Sequence, residues 1–140
     1  MVSSMHHTRP FTLDFRFGPR RRMFAFIVAI DEYKSEKIPN LQGCKSDAQS
    51  VVDLLSRKFR VPSSHFLCLA NERATRRGII HGFWKHLIQN KNIKYGDAIV
   101  IFYAGHGSWV PPPKGWVTDY NRVETICHQS MYPNCNVEWL

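Results

Sequence analysis

Met23-Phe-Ala-Phe-Ile-Val-Ala-Ile30 is eight apolar residues in a row with no polar alternation. A strand buried on both faces of a parallel sheet reads this way, so a first strand is predicted over 23–30. Asp31 to Gly43 is punctuated by Pro39-Asn40 and Gly43 and reads as a loop. A helix is predicted over 47–59, with Ala48, Val51, Val52, Leu55 and Phe59 at helical spacing and Val61-Pro62 closing it. Ser46 and Gln49 fit a capping box at its start, and Asp47 suits the positive helix end. His65 to Ala70 reads as a second, short strand. Thr75 caps a second helix over 76–89, whose Ile79, Ile80, Phe83, Trp84, Leu87 and Ile88 form one stripe. Gly96-Asp97 then turns into a third, strongly apolar strand over 98–104.

The order is β-α-β-α-β with short links. That predicts an α/β fold: a mostly parallel sheet with right-handed crossovers, covered by helices. Beyond Ser108 the pattern fails, and Trp109 to Leu140, with three consecutive prolines, offers no clear element. Residues 1–22 lack periodicity and contain Pro10, Gly18 and Pro19, so they read as a basic flexible tail. The expected division is therefore a tail over 1–22, a domain over 23–126 and a divergent carboxy-terminal tail over 127–140.

Composition adds limits. With 140 residues, 44% of them hydrophobic, the chain can build one packed domain. No apolar run approaches the ~20 residues that span a bilayer, so no membrane partner is expected. Arg20-Arg21-Arg22 before the first apolar run mimics a signal peptide, but Asp31-Glu32 ends that run and no small-residue cleavage site follows. Cys44, Cys68, Cys127 and Cys135 lack the spacing of a disulfide framework and read as thiols of a cytoplasmic protein. The net charge of +8 invites a nucleic-acid partner. Yet Arg9, Arg16, Arg20, Arg21 and Arg22 against Asp14 give the tail +4, half the total, and elsewhere the signs are interspersed. A basic tail on a mildly basic domain is the simpler reading, and no nucleic acid is expected.

The chemistry lies where the third strand ends. In open α/β sheets ligands bind beyond the carboxyl ends of the strands. There the chain reads Tyr103-Ala-Gly-His-Gly-Ser108. Gly105 allows a sharp turn and close approach, His106 projects from the tip, and Gly107 leaves its N–H open to a carbonyl oxygen. A general base beside half an oxyanion hole is what acyl transfer needs. A glycine-rich turn whose histidine satisfies a local hydrogen bond would look the same, and the six residues leave both readings open.

Three segments read together are more specific. Phe24-Ala-Phe-Ile-Val-Ala-Ile-Asp-Glu-Tyr33, Leu41-Gln-Gly-Cys-Lys-Ser-Asp-Ala48 and Gly96-Asp-Ala-Ile-Val-Ile-Phe-Tyr-Ala-Gly-His-Gly-Ser108 resemble the amino-terminal half of a caspase-like cysteine peptidase. The likeness is nearer to metacaspases and fungal caspase domains than to animal caspases. It implies a three-layer α/β/α fold, cysteine-type endopeptidase activity and proteolysis of the kind linked to apoptosis-like cell death. It assigns His106 as catalytic base and Gly107 as oxyanion donor. Cys44 and Asp47 match positions that line the pocket for a basic residue, so the resemblance implies a polypeptide substrate cut after Arg or Lys. Leucine at Leu41, near an arginine of aspartate-specific caspases, argues against aspartate. Helix capping explains Asp47 equally well, and small-residue packing explains Cys44.

In caspases the histidine lies ~50 residues upstream of the nucleophilic cysteine, which places that cysteine near position 156. Cys127 follows His106 by only 21 residues and Cys135 by 29, neither in a D-x-C-H-S-G setting. The expectation is a fragment ending after the third strand, inactive alone, whose partner would be the missing half of the domain. A non-catalytic interaction module is the alternative. No metal or other cofactor is expected: the family's calcium site has only Asp119 and Glu124 to draw on, and His6-His7 is a bare pair. The unpaired third strand implies self-association through its edge.

Overall fold

A computed structural model describes residues 22–132. The expected features of residues 1–21, the His6-His7 pair and Cys135 lie outside the described residues. Five strands and two helices follow one another: β1 (Met23–Ala29), α1 (Cys44–Lys58), β2 (Phe66–Ala70), α2 (Arg76–Phe83), β3 (Ala98–Ala104), β4 (Gly107–Val110) and β5 (Val123–Ile126).

The main sheet has the order β2-β1-β3, all parallel. The chain steps one way from β1 to β2 and back across β1 to β3. With both crossovers right-handed, the two helices fall on opposite faces. One face carries Phe24, Phe26 and Val28 under α2; the other carries Ala25, Ile27 and Ala29 under α1. β1 is therefore buried on both sides, which is why its sequence shows no alternation. Gly82 lets α2 sit close: a Cβ there would lie 3.1 Å from Leu67 and Phe26 carbons. Two further layers around a parallel sheet give the expected α/β/α arrangement.

The local details differ in four places. α1 begins at Cys44, and the Ser46–Gln49 capping box does not form: Gly43 is the cap residue, at φ 108°, with no side-chain cap of its own. The Asp31 carboxylate caps the helix from the end of β1, accepting from Cys44 N at 2.8 Å and Lys45 N at 3.1 Å. The second helix does start as expected, with Thr75 Oγ1 accepting from Gly78 N at 3.0 Å. It ends differently, in one π-turn over Trp84–Ile88 closed by Gln89 N donating to Trp84 O. Its apolar stripe is split: Ile79, Phe83 and Leu87 pack on the sheet, while Ile80, Trp84 and Ile88 stay exposed.

The fourth difference lies past Ser108. β4 and β5 form an antiparallel pair with Trp109 opposite Glu124, and Arg122 stacks over the Trp109 ring. Half its residues are exposed, so the short ladder left no apolar run to read. Residues 127–132 continue onto the domain, with Cys127 in the core and Gln129 exchanging backbone bonds with Lys34 and Ala74. Arg22 docks too. Its guanidinium grips Asp97 and Asn92 O, fixing the entry of β1 against the turn into β3.

Burial alone would raise the Asp31 carboxyl, but the Lys45 and Cys44 amides, the Cys44 thiol and the Lys45 charge hold it below its ordinary 3.8. A group depressed on folding adds stability above its unfolded pKa and loses it as pH falls through the folded one. Asp31→Asn should therefore cost about 1–3 kcal/mol at neutral pH. Urea unfolding at several pH values checks this: the wild type should weaken more steeply than the variant as pH drops below about 4.

Candidate active site

β1 and β3 end side by side, and the loop from Asp31 to Gly43 folds over their tips. Asp31 closes it at both ends: its carbonyl accepts from Leu41 N at 2.8 Å while its carboxylate holds the start of α1. Asn71 steadies the near end, its side-chain oxygen accepting from Asp31 N and Glu32 N. Asn40 braces the loop internally, accepting from Tyr33 N at 3.0 Å. Pro39 thus presents its carbonyl to the end of β3.

His106 meets it there. The imidazole Nε2 is 2.9 Å from Pro39 O. A carbonyl can only accept, so Nε2 carries the proton and Nδ1 is left with its lone pair. That is the state a general base needs before it takes a proton. The ring lies 5.2 Å from the Tyr33 ring, centroid to centroid, and the His106 amide donates to the Tyr33 hydroxyl at 2.8 Å.

Gly107 opens β4. Cys127 N donates to His106 O at 2.9 Å, which makes residues 106 and 127 a hydrogen-bonded pair. Alternation then makes Gly107 and Ile126 a pair without ladder bonds, so the Gly107 N–H turns away from β5. It is exposed and carries no side chain to block an approaching oxygen. An imidazole with one nitrogen held and an open backbone N–H thus occupy adjacent residues, groups that acyl transfer can use.

The metacaspase peptidase C14 domain model matches residues 24–134. The chain belongs to the metacaspase family. No curated protein matches it. The family match extends through Cys127 and past the expected boundary at 126, consistent with the docking of residues 127–132.

The other expected site residues of this metacaspase domain are placed less simply. Cys44 is buried at the first turn of α1, its thiol bonded to the Asp31 carboxylate. Asp47, read as a buried pocket carboxylate, stands exposed one turn on; its amide donates to Gly43 O. Both sit in the first turn of α1, directly after the Asp31–Gly43 loop. The buried carboxylate here is Asp31, which the sequence marked only as the end of an apolar run. Pro39 was also missed, because its contribution is a backbone oxygen, which any residue could supply.

No thiol engages His106 among the described residues. Cys127 comes closest along the chain, but its side chain is buried in the core with Val28, Ile30 and Tyr33. Burial pushes its thiol up, as it does at Cys44, where the nearby Asp31 adds to the effect, and at Cys68 on β2. A nucleophilic cysteine is activated in the opposite direction. His128 turns to Ser130, its Nδ1 3.3 Å from the hydroxyl, and so gives Cys127 no help. Asp119 lies in the turn before β5 and Glu124 on β5, both exposed. Among the described residues no three acidic, histidine or cysteine side chains come together as a metal site. No helix among them is long and apolar enough to cross a membrane.

Alkylation followed by mass spectrometry tests the thiols. At neutral pH, Cys44 and Cys127 in the folded chain should react at least about tenfold more slowly than in the urea-unfolded chain. Rapid labelling of Cys127 that disappears in His106→Ala would contradict this placement.

Proposed function

We propose that this chain supplies the general base, half of the oxyanion hole and part of the substrate pocket of a cysteine endopeptidase that cleaves after Arg or Lys. The nucleophilic thiol comes from outside residues 22–132. The observation that carries the reading is the Nε2–H bond to Pro39 O. It leaves Nδ1 free as the base, beside a Gly107 N–H that faces away from its own sheet. In the complete reaction the thiol gives its proton to Nδ1, the thiolate attacks the scissile carbonyl, and Gly107 N–H steadies the oxygen as it gains charge. The imidazolium then passes the proton to the leaving amine, and water releases the acyl group. Asp47, exposed at the first turn of α1, supports selection of a cationic side chain by charge pairing.

The separation of Cys127 from His106 supports a second part of this reading: alone, the chain is a binding module without turnover. It should not cleave Arg- or Lys-based peptide substrates, with or without calcium. Cleavage that survives purification and is lost in Cys127→Ser would overturn this. The pocket is tested separately by NMR titration. A short peptide ending in Arg should shift the Cys44–Asp47 amides, and Asp47→Asn should weaken that response several-fold; an equal response to a peptide ending in Asp would refute the specificity.

We further propose that two copies associate through β3. Its outer edge has no strand partner among the described residues, and Ile99 (44% exposed) and Ile101 (59%) stand on the face beside it. Neither charge nor proline interrupts the strand, and exposed Trp84 and Ile88 of the second-helix segment extend the apolar area. Size-exclusion chromatography with light scattering should therefore detect dimers or larger species, and Ile101→Lys should shift them towards monomer. A monomer that persists at high concentration would exclude the association.

A further inference from the structure

Directly beneath His106 lie two phenol hydroxyls that the proposed chemistry does not use. The Tyr33 hydroxyl accepts the His106 N–H at 2.8 Å. The Tyr103 hydroxyl lies 2.8 Å from His106 O and 2.9 Å from Cys127 O, in position to donate to them. Both hydroxyls crowd one point, the place that a Cβ on Gly105 would take. In an uninterrupted antiparallel ladder His106 N–H would reach Cys127 O directly, as Cys127 N reaches His106 O. Here two side-chain hydroxyls are inserted into that gap.

We infer that Tyr33 and Tyr103 are positioning residues for His106, gripping the peptide groups on either side of its Cα and so aiming the imidazole at Pro39 O. The inference rests on His106 being the base. One loop then holds the histidine at two points. The Tyr33 hydroxyl fixes its backbone and the Pro39 carbonyl its ring, while Asn40 ties Tyr33 N beside Pro39. Tyr33 receives the N–H on one side of the His106 Cα, and Tyr103 can donate to the carbonyl on the other.

Gly105 is the residue that admits this arrangement. A Cβ there would lie 2.5 Å from the Tyr103 hydroxyl and 2.9 Å from that of Tyr33. Its backbone does not adopt the positive φ that would call for glycine on conformational grounds. Gly105 is required for space, and what needs the space is the hydroxyl pair. Burial raises both phenols above their ordinary value of 10.0, so both are protonated at neutral pH.

The test reads the histidine itself and needs no turnover. In the 15N-labelled full chain, His106 should show one tautomer, with well-separated ring signals for protonated Nε2 and bare Nδ1. Tyr33→Phe and Tyr103→Phe each keep the ring and remove one hydroxyl. Each should draw the two signals together as the second tautomer becomes populated. Leu55→Ala, in the α1 core away from the site, is the control: it should lower the melting temperature yet leave the separation as in the wild type. The inference is overturned if both tyrosine variants keep the wild-type separation, if Leu55→Ala collapses it equally, or if both tyrosine variants fail to fold. These readouts stand apart from peptide cleavage, so the chain can prove inactive without deciding whether the hydroxyls aim the histidine.

Discussion

The buried Asp31 carboxylate is the point on which fold and site both depend. β1 delivers it to the carboxyl end of the sheet, where an unpartnered charge would be costly to bury. Two amides of α1 and the Cys44 thiol satisfy it, so the helix is anchored to the strand tip rather than capped by its own residues. The same residue accepts Leu41 N through its carbonyl, and this pins both ends of an excursion of about ten residues. Loop closure is inexpensive at that length once the ends are held. The loop then has a defined path, and Tyr33 and Pro39 face His106 as a consequence.

Much of this was legible in the sequence because it follows from burial. A strand covered on both faces must be apolar throughout, and Phe24 to Ile30 is. The parallel sheet followed from the β-α-β-α-β order, and the opposite placement of the helices from crossover handedness. What escaped was set by partners distant in sequence. Ser46 and Gln49 made a plausible local cap, but Asp31, thirteen residues before Cys44, offers a full negative charge to Cys44 N and Lys45 N, and the helix begins there instead. A local pattern cannot reveal such a competitor. The β4–β5 ladder escaped for the opposite reason: with half its residues facing solvent over four positions, it has too little apolar periodicity to stand out.

The candidate site divides along the same line. His106 and Gly107 announce themselves by residue type, and their spacing needs only one turn of backbone. Pro39 contributes a carbonyl, and the two tyrosines contribute hydroxyls to backbone groups. Such contacts leave no signature in spacing. Gly105 did leave one, but it suggested a turn; the structure shows a residue kept small by the phenols beneath it.

The electrostatics explain why the His106 imidazole and the Cys127 thiol stay apart in this chain. A histidine poised as a base needs one nitrogen held and the other open, and the Pro39 contact provides that near the surface. A reactive thiol needs a positive or polar setting that lowers its pKa. Cys127 has neither: it fills a gap between Tyr33 and the tip of β1, where burial favours the neutral thiol. Moving it to His106 would open the core and break the backbone pair that holds residues 106 and 127 together. Exposing a small core side chain costs roughly 1–3 kcal/mol, and the unmade backbone bond adds to that. The packing that orders the histidine is therefore the packing that keeps this cysteine away from it.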